Sequence, residues 1–287
     1  MMKRSRVLAL VLVTVVSAVL SMGSVSPGPA AASSAAGGFR CTMEAFGHTQ
    51  DGRITFRRVV NDRVEVSKTT AGPVGWRPIS WTLVSYNGWP GHEETEQLVA
   101  ATDGKIRLVA TEWNEGGSLS VRVLKVVGRG YPSRLITFDN GNVFWVGADR
   151  ALRRARFTGS KFVRRTVLPV TISGATAMTA RGEEFGESRI YYTDRAGALH
   201  VVTNDGAKAT DVVLKASGYR GVTGLRAGGC SSANGARHRP YLGLLLVKRT
   251  TGEGRFQRIL RPTAANGGRV TKSVRVGRSD WTWRRLG

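Results

Sequence analysis

Apolar and polar residues alternate in short runs along most of the chain. No run keeps the i, i+3, i+4 spacing of an amphipathic helix. The runs are rich in Val, Ile, Thr, Tyr, Phe and Trp, and Gly, Asn-Gly, Asp-Gly and Pro break them, so the chain reads as all-β with many short strands. Asp51-Gly52, Asp103-Gly104 and Asn140-Gly141 each stand between two runs, as expected of tight hairpins.

The pattern also repeats. Gly130, Gly174 and Gly218 are 44 residues apart, with a looser relative at Gly75. A fixed period of this size marks a repeat architecture. A second, less regular series, Gly52, Gly104, Gly141 and Gly197, precedes the alternating strands GRITF, GKIRL, GNVFW and GALHV. Phasing the runs on the first series gives four units of four strands, opening with SWTLV, RLITF, TAMTA and VTGLR. Three strands remain at the N-terminal side (Cys41–Phe46, Arg53–Val59, Arg63–Lys68) and one at the C-terminal side, Asp280–Leu286. Three plus one completes a fifth unit, since a ring of antiparallel sheets must close or leave an edge. The expected fold is a five-bladed β-propeller of four-stranded antiparallel blades, closed by the C-terminal strand. In this phasing Cys41 lies in the second strand of the shared blade, and Cys230 follows the first strand of the fourth unit. A Cys41–Cys230 disulfide would staple the seam, worth roughly 4–5 kcal/mol in the chain-entropy model; two buried thiols are the alternative. His92–Glu96, Gly182–Glu187 and Gly228–Arg239 read as loop insertions on one face.

The first 32 residues have a basic head, an apolar run from Val7 to Leu20 and a small-residue stretch ending at Ala32, the pattern of a secretory signal peptide. Residues 33–38 read as a flexible leader and 39–287 as the propeller. No stretch is long enough for a transmembrane helix, so the chain is expected to be extracellular and not membrane-spanning. The net charge is +23, and residues 1–32 account for only three of the basic residues. The arginines come in bunches: Arg57-Arg58, Arg153-Arg154 with Arg156, Arg164-Arg165, Arg237 with Arg239, and Arg284-Arg285. Their forked guanidinium groups suit phosphate and carboxylate, and the summed field attracts polyanions. A plain solubility surface is the alternative. No helix is present to enter a nucleic-acid groove, so specific nucleic-acid reading is not expected.

Aromatics follow the repeat glycines at Trp76, Tyr131 and Tyr219, with Trp281 and Trp283 as C-terminal equivalents; Ala175 breaks the series. At one position in several blades such rings could be stacking platforms for sugars, or wedges between blades. With the Asp-Gly-initiated strands and the repeated Gly-aromatic entry, the chain resembles the tachylectin-type propeller lectins from Phe39 to Gly287. That resemblance implies five blades and sites for N-acetylated sugars between blades, two or three of them here. Thr137-Phe138-Asp139-Asn140-Gly141-Asn142-Val143-Phe144 is similar to the Asp-box hairpin of sialidase-type propellers, where the box is a structural turn.

No nucleophile elbow, HExxH or P-loop occurs. A glycosidase needs two facing carboxylates. Among the proposed first strands only Asp280 is acidic, with Asp139 just past another; Glu93, Glu94 and Glu96, and Glu183, Glu184 and Glu187, read as loop clusters. The four histidines and two cysteines do not make a metal site, and no cofactor is implied. The sequence therefore points to a secreted, monomeric, non-catalytic binding protein for cell-wall or extracellular glycan or an anionic cell-surface polymer. Its ligand-binding candidates are Trp76, Tyr131, Tyr219, Trp281 and Trp283. A five-bladed propeller glycoside hydrolase and a protein-interaction subunit of a secreted assembly are the alternatives.

Overall fold

Among the described residues the computed structural model contains twenty β-strands and no helix. The structure describes residues 39–281 apart from 87–91, 115, 132, 133, 140, 183–187, 205–207, 233–236, 249, 261–267, 278 and 279. The chain forms two units, Met1–Ala36 and Gly37–Gly287, and all described residues belong to the second.

Three four-stranded antiparallel sheets follow one another in sequence. They are β4 (Pro78–Tyr86), β5 (His92–Ala101), β6 (Ile106–Asn114) and β7 (Ser120–Gly128); then β8 (Ile136–Asp139), β9 (Asn142–Val146), β10 (Ala151–Phe157) and β11 (Phe162–Thr171); then β12 (Ala175–Gly182), β13 (Ser188–Asp194), β14 (Leu199–Asn204) and β15 (Ala209–Lys215). A further sheet holds β16 (Gly224–Ser232), β17 (Arg237–Lys248) and β18 (Glu253–Leu260), with β19 (Arg269–Val270) and β20 (Val274–Val276) both along β18. It is joined through β16 to β1 (Phe39–His48), β2 (Ile54–Val60) and β3 (Arg63–Thr69). The first strands touch in turn: β4 packs on β8, β8 on β12 and β12 on β16, while β1 reaches both β16 and β4.

One backbone hydrogen bond recurs in every blade. The hairpin between a blade's second and third strands holds a residue at positive φ, and its carbonyl accepts from the N–H that leads into the next blade. The pairs are Val74 to Gly52 (3.1 Å), Tyr131 to Gly104 (3.1 Å), Ile172 to Arg150 (2.9 Å), Tyr219 to Gly197 (3.0 Å) and Trp281 to Gly252 (3.0 Å). The acceptor residues have φ of 85, 72, 65, 94 and 61°. Left-handed backbone of this kind favours glycine, and four of these five residues are glycine. The bond also sets the phase of the first blade. Gly52 turns β1 into β2, so β1 is a second strand, as the sequence phasing expects for Cys41.

Packing follows the same order. Five apolar cores lie between neighbouring blades. One holds Phe46, Phe56 and Trp81 of the first two blades, and the next Leu98, Ile106, Tyr131 and Val143. A third holds Phe144, Leu168, Ile172 and Ile190, and a fourth Val201, Tyr219, Leu225 and Leu244. The fifth joins last to first through Met43, Val59, Leu245, Phe256 and Trp281. The alternation of Val, Ile and aromatic residues is thus explained: each strand turns one set of side chains to the blade before it and the other to the blade after.

The seam is where β1 crosses β16, with Phe39, Arg40 and Cys41 opposite Ser232, Ser231 and Cys230. The disulfide joins Cys41 to Cys230 across this pair. Gly228 and Gly243, opposite each other on β16 and β17, make room for it. A Cβ on Gly228 would stand 2.0 Å from the carbonyl oxygen of Thr42, and one on Gly243 2.5 Å from Sδ of Met43.

Several expectations need correction. Cys230 lies inside the first strand of its blade, because β16 runs on to Ser232 to meet β1. His92–Glu96 is no insertion: β5 begins at His92 and pairs with β6 from there. Most of Gly228–Arg239 likewise extends β16 and β17, apart from 233–236, which lie outside the described residues. Gly182 ends β12, and 183–187 lie outside the described residues. Gly141 stands between first and second strands, so it does not belong with Gly52, Gly104 and Gly197; Arg150 takes the equivalent place. Asp280 and Trp281 are not in a strand, and the rest of the expected closing strand lies outside the described residues.

Replacing Cys41 and Cys230 by serine is expected to cost about 5 kcal/mol in the chain-entropy model, since the bridge spans 189 residues. Denaturant unfolding of the double variant checks this, and a loss below about 1 kcal/mol would mean that backbone pairing alone holds the seam.

Candidate functional site

The inter-blade hydrogen bond decides where the candidate aromatics go. Tyr131, Tyr219 and Trp281 supply its N–H donors, equivalent to Val74 and Ile172 in the other two blades. Trp76 and Ala175 fall two and three residues later than those equivalents, so the glycines at 75 and 174 are out of phase with the other two. At the donor position the backbone is pinned to the preceding hairpin and the side chain drops between blades. Tyr131, Tyr219 and Trp281 are 2%, 3% and 0% exposed. Tyr131 meets Trp145 and Phe162 edge-on, with ring centres 5.0 and 5.7 Å apart. The Tyr219 hydroxyl donates to Oε1 of Gln257 at 3.0 Å, and burial pushes its pKa up to about 12. Trp281 Nε1 donates to the carbonyl of Val276 at 3.2 Å.

Intramolecular cations cover these rings. Arg165 lies 4.9 Å from the Tyr131 ring centre, Arg57 4.5 Å from Trp281, Lys215 6.0 Å from Tyr219 and Arg107 5.3 Å from half-buried Trp76. Sugar stacking needs an open ring face, and here the chain's own guanidinium and ammonium groups take that place. Tyr131, Tyr219 and Trp281 are wedges between blades in this structure, and Trp76 is half-buried beside one such core. Trp283 lies outside the described residues.

The second-to-third-strand hairpins carry a matched acid and base. Asp51 pairs with Arg53, Asp103 with Arg107, Asp149 with Arg153, and Glu253 with Arg255. In the fourth blade Asp194 accepts the N–H groups of Gly197 and Ala198 and stands 3.5 Å from Nε2 of His200. That imidazole stacks on Tyr192 and lies 3.3 Å from Asp211. The Arg107 fork holds Asp103 well below the usual carboxylate range, at about 2, and Arg153 does the same for Asp149, also at about 2. These acids neutralise their own hairpins.

A second charged group lies around the first strands. Arg58 on β2 bonds Glu44 at 2.8 Å and grips both oxygens of Glu93 at 2.7 and 2.6 Å. The Glu93 bonds, with Glu44 adding, raise its pKa further still. Arg226 on β16 donates Nε to the Glu44 carbonyl at 2.9 Å and Nη1 to the Trp81 carbonyl at 3.1 Å, lying 4.4 Å from the Trp81 ring centre. Burial pushes Arg226 down to about 10; Glu44 and Asp139 oppose the shift and Arg181 adds to it. Arg226 thus ties β16, β1 and β4 together. The carboxylates named from sequence are dispersed by these partners. Asp280 is held by both terminal nitrogens of Arg57, Asp139 lies at the end of β8 among the charges around Arg226, and Glu93, Glu94 and Glu96 stand on a paired strand.

The remaining charge is unevenly placed. From 39 to 119, nine Arg and Lys stand against ten Asp and Glu; from 120 to 170, eleven stand against two; from 171 to 287, twenty stand against eight. The middle stretch is β7 with the third blade. On β11 the backbone bulges at Arg164, φ 54°, and Arg164, Arg165, Thr166 and Val167 are all exposed. The arginine pair is visible in the sequence, but the direction of its side chains depends on the bulge. Strict alternation would have put one of the two inside.

No family model and no curated protein matches the chain. Among solved structures, the fission yeast SREBP–SCAP binding domains are similar at TM-score 0.35 and 9% identity, over 77% of this chain and 62% of that one. The WD40 domain of fission yeast SCAP gives 0.34 and 8%, over 74% and 48%. A putative 6-phosphogluconolactonase from Bacteroides uniformis gives 0.36 and 10%, over 82% and 68%. The chain thus spans less than two thirds of the first two structures. The β-propeller class rests on this chain's own sheets, inter-blade bonds and cores. No helix among the described residues is long and apolar enough to cross a membrane.

Two outcomes follow. Tyr219→Ala should cost about 3–5 kcal/mol in denaturant unfolding, and Tyr219→Phe about 1, because the ring matters more than its hydroxyl. Asp103 has a lowered folded-state pKa. The stability it contributes is present above the unfolded value near 3.9 and is lost as pH falls toward about 2. Asp103→Asn should therefore reduce the slope of stability against pH between those values. With Asp103 39% exposed, screening holds its cost at neutral pH to about 1 kcal/mol or less.

Proposed function

We propose that this protein is an exported, non-catalytic binding propeller whose ligand is an anionic extracellular or cell-wall glycan, recognised through arginine and lysine. One observation carries the reading: residues 39–287 carry a net +20, of which 39–119 hold −1 and 120–170 hold +9, while Tyr131, Tyr219 and Trp281, which could have stacked on a neutral sugar, are buried under cations. The exposed large apolar side chains among the described residues are Leu and Val, with no aromatic. Recognition then falls to charge. The pattern of residues 1–32 and the disulfide support export. The rigid frame supports binding, since a ring of five inter-blade cores holds surface residues in place without needing to move.

The protein should bind immobilised dextran sulfate or alginate at low ionic strength, release from it by about 0.5 M salt, and ignore neutral dextran. Salt-independent binding to neutral N-acetylated glycans would overturn the reading.

A further inference from the structure

We infer that the anionic glycan proposed above docks as a linear polymer along the outer edge of the third blade, on β10 and β11 and the adjoining end of β7. This localises that reading and rests on it. Three observations converge. The first is charge density: residues 120–170 carry a net +9, whereas 39–119 carry −1. The hairpin acid of this blade, Asp149, is consumed by Arg153, and Asp139 is buried. Among the described residues no carboxylate lies within ion-pair reach of Arg122, Lys125, Arg156, Lys161 or Arg164.

The second is continuity. Phe162, at the start of β11, packs close to Gly128 at the end of β7, and Arg165 reaches the Arg129 carbonyl at 3.4 Å and the Tyr131 hydroxyl at 3.3 Å. Blades two and three therefore present one surface here. Exposed Lys125 and Arg129 on one side run on to Lys161 and Arg164 on the other.

The third is the backbone. Arg164 holds φ 54° inside a strand, and the β10–β11 register shifts between Arg154 and Arg156. A non-glycine residue in this conformation is disfavoured, and such local strain concentrates where a side chain must be re-aimed. Here it turns two consecutive arginines to solvent on an outer strand, where alternation would bury one. A flexible chain carrying phosphate, sulfate or carboxylate can lie along that row and take one guanidinium after another. A flat membrane would instead need apolar side chains long enough to insert, and the exposed apolar residues of this row are Val123, Val126 and Val167.

The test compares binding of the whole protein to dextran sulfate by titration at several salt concentrations. Arg156→Glu with Arg164→Glu should weaken binding at least about tenfold and lower the slope of log K against log salt by about two. Arg63→Glu, on exposed β3 in the neutral part of the ring, should change affinity less than about twofold. Arg164→Gly separates folding from binding: glycine accepts the φ, so the Tm should hold or rise while affinity falls. Equal losses in the Arg63 and third-blade variants would overturn the localisation and leave a diffuse field. Binding to phosphatidylglycerol vesicles but not to dextran sulfate, abolished by the third-blade variants, would replace the polymer with a membrane surface. Failure of the unaltered protein to bind any polyanion would overturn the proposed function itself.

Discussion

The hydrogen bond from the hairpin between a blade's second and third strands to the entry of the next blade is the constraint on which the rest depends. Its acceptor sits at positive φ in all five blades. It pins the N–H of one residue and so aims that residue's side chain into the gap between two sheets. Tyr131, Ile172, Tyr219 and Trp281 fill those gaps, and a cation lies over each of the three aromatic rings. Stability and surface chemistry are coupled at this position, because the ring that seals a core also anchors an arginine or lysine above it. Where this happens the aromatic is no longer available to a ligand, and its cation is held half in place.

The seam between last and first blades uses different means. Elsewhere first strands pack against one another, but β1 crosses β16 as a paired strand, and the disulfide sits at the crossing. Gly228 and Gly243 allow that approach because any side chain there would occupy the space of Thr42 or Met43. Arg226 adds a polar tie among β16, β1 and β4. Its burial is offset by two carbonyls, a tryptophan face and nearby carboxylates. Arg226 and its partners thus hold β16, β1 and β4 together at the first strands.

Much of the architecture was legible in the residues. Most strand runs, the hairpin glycines at 52, 104 and 197, the four-stranded antiparallel sheets and the cysteine pairing depend on local chemistry or on counting, and they persist in the structure. The candidate site was not legible in the same way. Gly75 and Gly174 share the glycine of the repeat but not its phase, because the entry segments differ in length by a few residues. Trp76 looked equivalent to Tyr131 and is displaced from it. His92–Glu96 looked like a loop because it is charged; it is a strand, with Glu93 bound to Arg58 of the first blade's sheet and Glu96 to Ser85 on the neighbouring strand.

Sequence alone determined the all-β class, the repeat, the disulfide partners and the excess of arginine, since each follows from residue type, spacing or number. Only the tertiary structure decided which way the blade-entry aromatics face, and which cations spend their charge on hairpin acids and which remain free. The physical reason is that facing and pairing depend on what the neighbouring blade supplies. A tyrosine after a glycine becomes a wedge when the next sheet leaves an apolar gap beneath it, and consecutive arginines become a surface row when a bulge breaks the alternation of their strand.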